Sequence, residues 1–330
     1  MKLVTGGAGY LGSHLAKELL SKGEKVRIYD LKKTKYVPEE AEFTQGDMRD
    51  YESVRSSVEG VDTVFHLAFV QSHSKMDEYA SRDINIGGTE NFLKASVEAG
   101  VSRFVYTSTI EIYGTRPPYP CSEDAPKDNP VGWYGEQKLE AENLVWRYYK
   151  ERGLLSSALR MPTICGPGYY NHRGMLQLMD RIIDGRLLPM IGRGDIYGDF
   201  VYYKDVLQGY ILCAEKEEAV GEPFNISCEK SATHYELAKA MIDAVGSKSK
   251  IIHISPAIVR ILLPVLGGLK IIDLPKYQYD YLFNHNVYAI DKAKRLLGYT
   301  PTKSASESAA KLIKGYIADR EFVKKRSQNY

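Results

Sequence analysis

Thr5-Gly6-Gly7-Ala8-Gly9-Tyr10-Leu11-Gly12-Ser13 stands between a short apolar run, Lys2 to Thr5, and a helical pattern, Leu11 to Leu20. Gly7, Gly9 and Gly12 satisfy G-x-G-x-x-G, and Gly6, Gly9 and Gly12 satisfy G-x-x-G-x-x-G. Glycines here permit a tight strand-to-helix turn and close approach of backbone to a pyrophosphate. The helix N-terminus adds free N–H groups and partial positive charge. A second strand, Lys25 to Asp30, closes on a carboxylate 18 residues after Gly12. A carboxylate there accepts hydrogen bonds from the adenosine ribose and repels a 2′-phosphate, which predicts NAD. Lys32 and Lys33 follow closely and leave NADP open. Preceding strand, glycine spacing, following helix and acid all agree. Gly6, Gly9, Tyr10, Leu11, Gly12 and Asp30 are therefore candidate cofactor-binding residues.

Further along, Thr63 to His66 and Arg103 to Thr107 read as strands, and Asn85 to Ala99 as one helical stretch stopped by Gly100. Strand and helix alternating at this spacing predict βαβ units and a parallel sheet covered on both faces. The expected fold class is α/β: a Rossmann-type doubly wound parallel sheet with a smaller interleaved C-terminal substrate domain. Residues 1–160 would form the NAD-binding domain. Residues 161–330, less regular and richer in Gly, Pro and Tyr, would hold the substrate, with some segments returning to the first domain.

The 330 residues are enough for one large enzyme domain or two intimately joined ones. Lys plus Arg number 44 against 42 for Asp plus Glu, a balance that argues against a nucleic-acid partner. Cys121, Cys165, Cys213 and Cys228 form no CxxC pair, so neither a disulfide framework nor a metal site is expected, and a reducing cytoplasm is. The most apolar stretch, Ile251 to Ile272, is interrupted by Pro256, Arg260, Pro264 and Lys270. It reads as buried core rather than a transmembrane segment, with surface contact to a bilayer as the minor alternative.

Chemistry enters at Tyr134-Gly135-Glu136-Gln137-Lys138, which opens a long helix running to about Lys150. Tyr134 and Lys138 are four apart and share one helix face. A free phenol, with pKa about 10, is a poor base at neutral pH. A neighbouring ammonium, with the positive nicotinamide ring, would bring the phenolate within reach.

With these residues in place, the sequence resembles the NAD-dependent epimerase/dehydratase branch of the extended short-chain dehydrogenases/reductases. The resemblance runs over nearly the whole chain. It includes the glycine loop, Gly46-Asp47-Met48, His66-Leu67-Ala68, Asn85-Ile86-Gly87-Gly88-Thr89, Ser108 to Gly114, Tyr134-x-x-x-Lys138 and Leu159-Arg160-x-Pro162. Asp199-Phe200-Val201-Tyr202, Phe224-Asn225-Ile226 and Leu297-Gly298-Tyr299-x-Pro301 continue it. The resemblance implies Tyr134 as acid/base on a substrate hydroxyl, Lys138 on the nicotinamide ribose, and Thr109 positioning the same hydroxyl. It also implies that Asp47 and Met48 border the adenine and that Leu67, Ala68 and Pro162 border the cofactor. His66 is expected to be a packed strand-end residue and Asn85 to hold backbone. A homodimer through the helices near residues 82–99 and 134–152 is expected by the same analogy.

Thr109-Ile110-Glu111 resembles the Thr-x-Glu triplet of nucleotide-sugar dehydratases and decarboxylases, which makes Glu111 a candidate acid or base. The leading expectation is a nucleotide-activated sugar oxidised to a transient ketone, ending in epimerisation or in elimination or decarboxylation aided by Glu111. Three departures cut against it. Gly198 and the segment Asn284-His285-Asn286-Val287-Tyr288 stand where diphosphate-gripping arginines are expected, and Thr163 replaces an Asn. Arg173, Arg181, Arg186 or Arg193 would have to substitute. The Ile251–Ile272 segment resembles the 3β-hydroxysteroid dehydrogenase-like branch, so a hydrophobic alcohol or ketone is the alternative substrate. An NAD-sensing binding protein on the same fold is the non-enzymatic alternative.

Overall fold

The computed structural model describes residues 1–71, 74, 76–170, 173–268 and 276–327. Its centre is a seven-stranded sheet in which every pair is parallel. The strands are β1 (Lys2–Thr5), β2 (Val26–Asp30), β3 (Glu42–Gln45), β4 (Thr63–His66), β5 (Arg103–Thr109), β6 (Ser156–Met161) and, later in the chain, β11 (Pro223–Asn225). Their order is β11-β6-β5-β4-β1-β2-β3, so the chain reverses direction of travel between β1 and β4. That reversal opens a crevice beyond the carboxyl ends of the strands. Register brings Thr5 beside Tyr29 and His66, and Thr109 beside Met161, along one rim.

Successive strand residues point to opposite faces. Val4, Ile28, Phe65, Val105 and Leu159 pack under α1 (Tyr10–Ser21), α7 (Tyr203–Glu215) and α10 (Asp291–Leu297). Their neighbours Leu3, Tyr29, Val64, Phe104 and Ala158 pack under α2 (Tyr51–Ser57), α4 (Gly88–Glu98) and α5 (Gly132–Arg152). Both faces of the sheet are thus dry, which explains the near-continuous apolar runs seen in sequence.

The helical stretch expected over residues 85–99 is composite. It comprises α3 (Glu78–Arg82), a wide π-helical turn (Asp83–Gly87) and α4, and ends before Gly100, whose φ is +69°. Strand β5 reaches Thr109, two residues past the expected end. There the Thr109 hydroxyl accepts from the Glu111 amide at 3.3 Å and starts a tight turn, Ile110–Tyr113.

The second half is more regular than its composition implied. Between the short strands β7 (Thr163–Cys165), β8 (Leu188–Ile191), β9 (Tyr197–Gly198), β10 (Phe200–Tyr202), β12 (Ala232–Thr233) and β13 (Ile251–Ile254) lie α6 (Arg173–Ile183) and α8 (His234–Ala244). With α11 (Ala305–Ser327) these helices enclose a separate apolar cluster that includes Met179, Leu237, Met241, Leu312 and Ile313. The Ile251–Ile272 reading requires correction. Within α9 (Pro256–Gly268), Ile258 is 50% and Ile261 71% exposed, and among its described side chains only Leu263 is buried. One apolar face of this helix looks outward, and residues 269–272 lie outside the described residues. No helix among the described residues is long and apolar enough to cross a membrane.

Candidate active site

The rim of the sheet opens into a cleft of about 780 Å³. Gly6, Gly9, Tyr10, Leu11, Gly12, Asp30, Asp47, Met48, Leu67, Ala68, Thr109, Glu111, Tyr134 and Pro162 all line it. Sequence reasoning thus named residues that the fold brings together from seven separate segments.

The glycine loop is shaped by contact. A Cβ on Gly12 would lie 2.5 Å from the Gly6 carbonyl oxygen, and one on Gly6 2.9 Å from the Ala68 backbone. Gly6 also has φ +65°, a conformation most side chains avoid. No side chain caps α1 at Gly9, so its first amides remain available for an anion. At the end of β2, Asp30 accepts from the Ala8 amide at 2.9 Å and the Leu31 amide at 2.8 Å. These bonds orient the carboxylate and leave lone pairs for a ribose. Burial raises the Asp30 pKa, and the amide bonds oppose that rise. Lys32 and Lys33 are exposed and line no part of the cleft. Uncapped helix end, glycine cradle and oriented acid together fit a dinucleotide.

Helix α5 presents Tyr134, Gln137, Lys138, Ala141, Glu142 and Val145 on its buried face. This face carries chemistry and core packing at once, and Gly153, at φ +71°, ends it. Lys138 does not reach the cleft wall. Its ammonium donates to the Thr107 carbonyl at 2.6 Å and lies 3.7 Å from the Phe69 ring centroid and 5.9 Å from that of Tyr134. Burial lowers the Lys138 pKa to about 7, with Glu142 one turn onward opposing the drop. Tyr134 meets the Phe69 ring edge-on at 88° with centroids 5.8 Å apart. In the protein alone its phenol is pushed well above the ordinary range, first by burial and then by the Glu111 carboxyl. The expected lowering therefore requires the positive nicotinamide as well as Lys138. Glu111 is raised to about 7 by burial, and its Oε2 has no hydrogen-bond partner.

The framework behind the site is polar and closed. Glu142 accepts from Ser108 Oγ at 2.5 Å and forms a buried ion pair with Arg160, which also donates to the Tyr113 hydroxyl and the Glu123 carbonyl. His66 bonds through both ring nitrogens, to Thr5 and Thr89 hydroxyls, each at 3.0 Å. Burial lowers its pKa to about 3, which suits a packed neutral residue. Asn85 holds Val70 backbone from both sides, as expected.

Sequence reasoning missed Phe69, the Thr107 carbonyl, and the apolar residues Met175, Leu176, Met179 and Leu312 of a cleft arm that also holds Tyr169 and Tyr170. Phe69 directly follows the quoted His66-Leu67-Ala68, so its position held a weak signal; the arm residues belong to no motif. Of the arginines offered as phosphate ligands, Arg181 donates to the Leu187 carbonyl and Arg186 pairs with Asp184. Neither they nor Arg193 line the cleft, and the Arg173 side chain lies outside the described residues.

Known proteins resemble this chain over nearly its whole length. The Mycobacterium tuberculosis 3 beta-hydroxysteroid dehydrogenase/Delta 5-->4-isomerase is 30% identical, over 99% of this chain and 93% of its own. The mouse sterol-4-alpha-carboxylate 3-dehydrogenase, decarboxylating, is 26% identical, over 95% and 90%. The crystal structure of Thermotoga maritima UDP-glucose 4-epimerase with UDP-glucose superposes with a TM-score of 0.80 at 26% identity, covering 97% of this chain and 99% of that one. Residues 2–227 match the family described as NAD dependent epimerase/dehydratase. With its glycine cradle, oriented Asp30 and Tyr134–Lys138 helix, the chain belongs to that family and is an NAD-dependent enzyme of the extended short-chain dehydrogenase/reductase type.

Proposed function

We propose that this enzyme oxidises a secondary hydroxyl on a substrate with an apolar, uncharged body, passing one hydride to NAD per turnover. The observation that carries the reading is the cleft arm itself. Met175, Leu176, Met179 and Leu312 line it beside two tyrosines, and the only cation among the described lining residues is Arg49. That guanidinium is tied to Asp47, at the end of the cleft assigned to adenine. A diphosphate in the arm would lack a bidentate donor there. The family likeness to hydroxysteroid dehydrogenases points the same way.

Bound NAD supplies the hydride acceptor. Tyr134 takes the hydroxyl proton, and Thr109, at the end of β5, holds the same hydroxyl in line. Lys138 stabilises the phenolate through its ammonium from behind the cleft wall, and to anchor the nicotinamide ribose it would have to leave the Thr107 carbonyl that now holds it. Holding these groups in one geometry is most of what the protein must contribute. Helices α4 and α5 are the proposed homodimer surface.

A second reading, a transient ketone on a nucleotide sugar, draws support from Glu111, whose Oε2 has no partner and which lines the cleft with Tyr134, and from the fold shared with the epimerase. One experiment separates the two. Purified enzyme is given NAD with a 3β-hydroxysterol or with UDP-glucose, and NADH is followed at its absorbance maximum. The first reading expects NADH from the sterol alone, abolished by Tyr134→Phe. Epimerised UDP-glucose without net NADH, and an inert sterol, would overturn it in favour of the second. Full biological activity in the Tyr134→Phe variant would point instead to an NAD-sensing binding protein.

A further inference from the structure

Ile258, Ile261 and Leu262 stand three and four residues apart on α9, so they share one face of the helix, and all three are exposed. Leu263 lies on the opposite side and is buried. That side seats the helix. The Tyr279 hydroxyl donates to the Leu263 carbonyl at 3.3 Å, and the Arg260 guanidinium lies 4.0 Å from the Phe283 ring centroid. The strand that feeds α9 is also open on one side. β13 pairs in register with β8, placing Ile252 beside Pro189; both are exposed, as is Leu187 just before β8. A single exposed Ile or Leu is ordinary, but several gathered on one helix face mark an interaction surface.

Charge says what covers that surface. Between Asp243 and Asp273 the sequence holds no carboxylate and four cations, Lys248, Lys250, Arg260 and Lys270, in a chain whose charges otherwise nearly balance. Lys248 and Lys250 are exposed and form no ion pair among the described residues. Acids on neighbouring elements are engaged elsewhere: Asp184 with Arg186 and Arg320, Asp243 with Lys239, and Asp280 with Arg116. Arg193 and Asp195, in the turn where Gly192 packs against Pro256, offset each other. A second copy docked about a two-fold axis would set the lysines of this face against themselves. A negatively charged lipid surface answers them. We propose that α9 lies in the plane of an anionic bilayer, with Ile258, Ile261 and Leu262 entering the headgroup boundary and Lys248 and Lys250 meeting lipid phosphates. At 13 residues, about 20 Å, the helix is too short to span a membrane, so the protein rests on one surface. This inference goes beyond the reaction proposed above and stands without it.

The purified protein is floated with extruded vesicles of phosphatidylcholine, alone or mixed with phosphatidylglycerol. The wild type is expected to partition at least 10-fold more strongly onto the anionic vesicles, and added salt should release it. Ile258→Gln with Ile261→Gln changes only exposed side chains. Its Tm and NAD affinity should match the wild type while its vesicle binding falls at least 10-fold. Lys248→Gln with Lys250→Gln should lose most of the preference for the anionic vesicles. In Ile261→Trp the added indole should emit further to the blue when those vesicles are present, which reports immersion of α9 itself. No binding to the anionic vesicles, binding that the isoleucine double variant leaves unmoved, or indole emission that vesicles do not shift overturns the proposal. A wild-type dimer that the same double variant dissociates, in a protein that ignores vesicles, would show that a second copy covers this face and would equally overturn it.

Discussion

Phe69 forms a floor under Lys138: the ammonium lies 3.7 Å from the ring centroid, while the same ring meets Tyr134 edge-on. An ammonium over an aromatic face, out of water, gains about 2 kcal/mol. The buried Lys138 charge is otherwise held by the Thr107 carbonyl and the neighbouring aromatic rings of Tyr106 and Tyr134. Replacing Phe69 by Leu keeps the bulk and removes the ring's charge attraction. The ammonium should then titrate below its present value of about 7. We expect Phe69→Leu to lower kcat/KM about 10-fold and to move the loss of NAD affinity on the alkaline side to lower pH. A variant with unshifted pH profile and full kcat/KM would show that the ring only fills space.

Glu142 and Arg160 give a separate prediction about stability. Their side chains are 1% and 2% exposed, and the ion pair sits one turn from Lys138. Removing one partner leaves a buried charge uncompensated, at a cost of about 3–5 kcal/mol. Glu142→Gln should therefore lower the denaturant midpoint sharply. The double change Glu142→Leu with Arg160→Met should recover much of that loss, because it removes both charges. Additive losses in a double-mutant cycle would refute the coupling.

Glu111 should leave its mark on stability against pH. Its carboxyl titrates near 7 in the folded protein against 4.5 ordinarily, raised by burial. Between these values the folded state holds a proton that the unfolded state has lost. Stability from this group is thus full below about pH 4.5 and falls as pH rises through 7. The span corresponds to roughly 3–4 kcal/mol. Glu111→Gln cannot ionise, so its Tm should gain on the wild type by several degrees between pH 5.5 and 8. Parallel Tm curves across that range would contradict a buried, proton-binding Glu111.

The sheet and the cofactor half of the cleft were legible because both follow short-range rules. The turn at Gly6–Gly12, the acid closing β2 and the Tyr134–Lys138 spacing each need particular residue types at fixed offsets. The substrate arm obeys no such rule. Met175, Met179 and Leu312 meet only because α6 and α11 pack together, and any apolar residue of suitable size would serve. The Ile251–Ile272 reading failed differently. Apolar composition predicts burial only when a partner covers it, and α9 leaves Ile258 and Ile261 uncovered.

Asp30 carries the last prediction, on cofactor choice. Its two oxygens are aimed by the Ala8 and Leu31 amides, which oppose the upward push of burial, so it meets the ribose as an oriented acceptor. A hydrogen bond to such an ionised acceptor contributes about 1.5–3 kcal/mol. Asp30→Asn keeps the shape and one acceptor oxygen while removing the charge. The Kd for NAD should rise about 10-fold. The Kd for NADP should fall, since the repulsion of a 2′-phosphate is gone and the exposed Lys32 and Lys33 stand nearby. Fluorescence titration of both cofactors against both proteins gives the ratio directly. If the NAD-to-NADP preference is the same in the variant, Asp30 shapes the loop through Ala8 and does not select the cofactor.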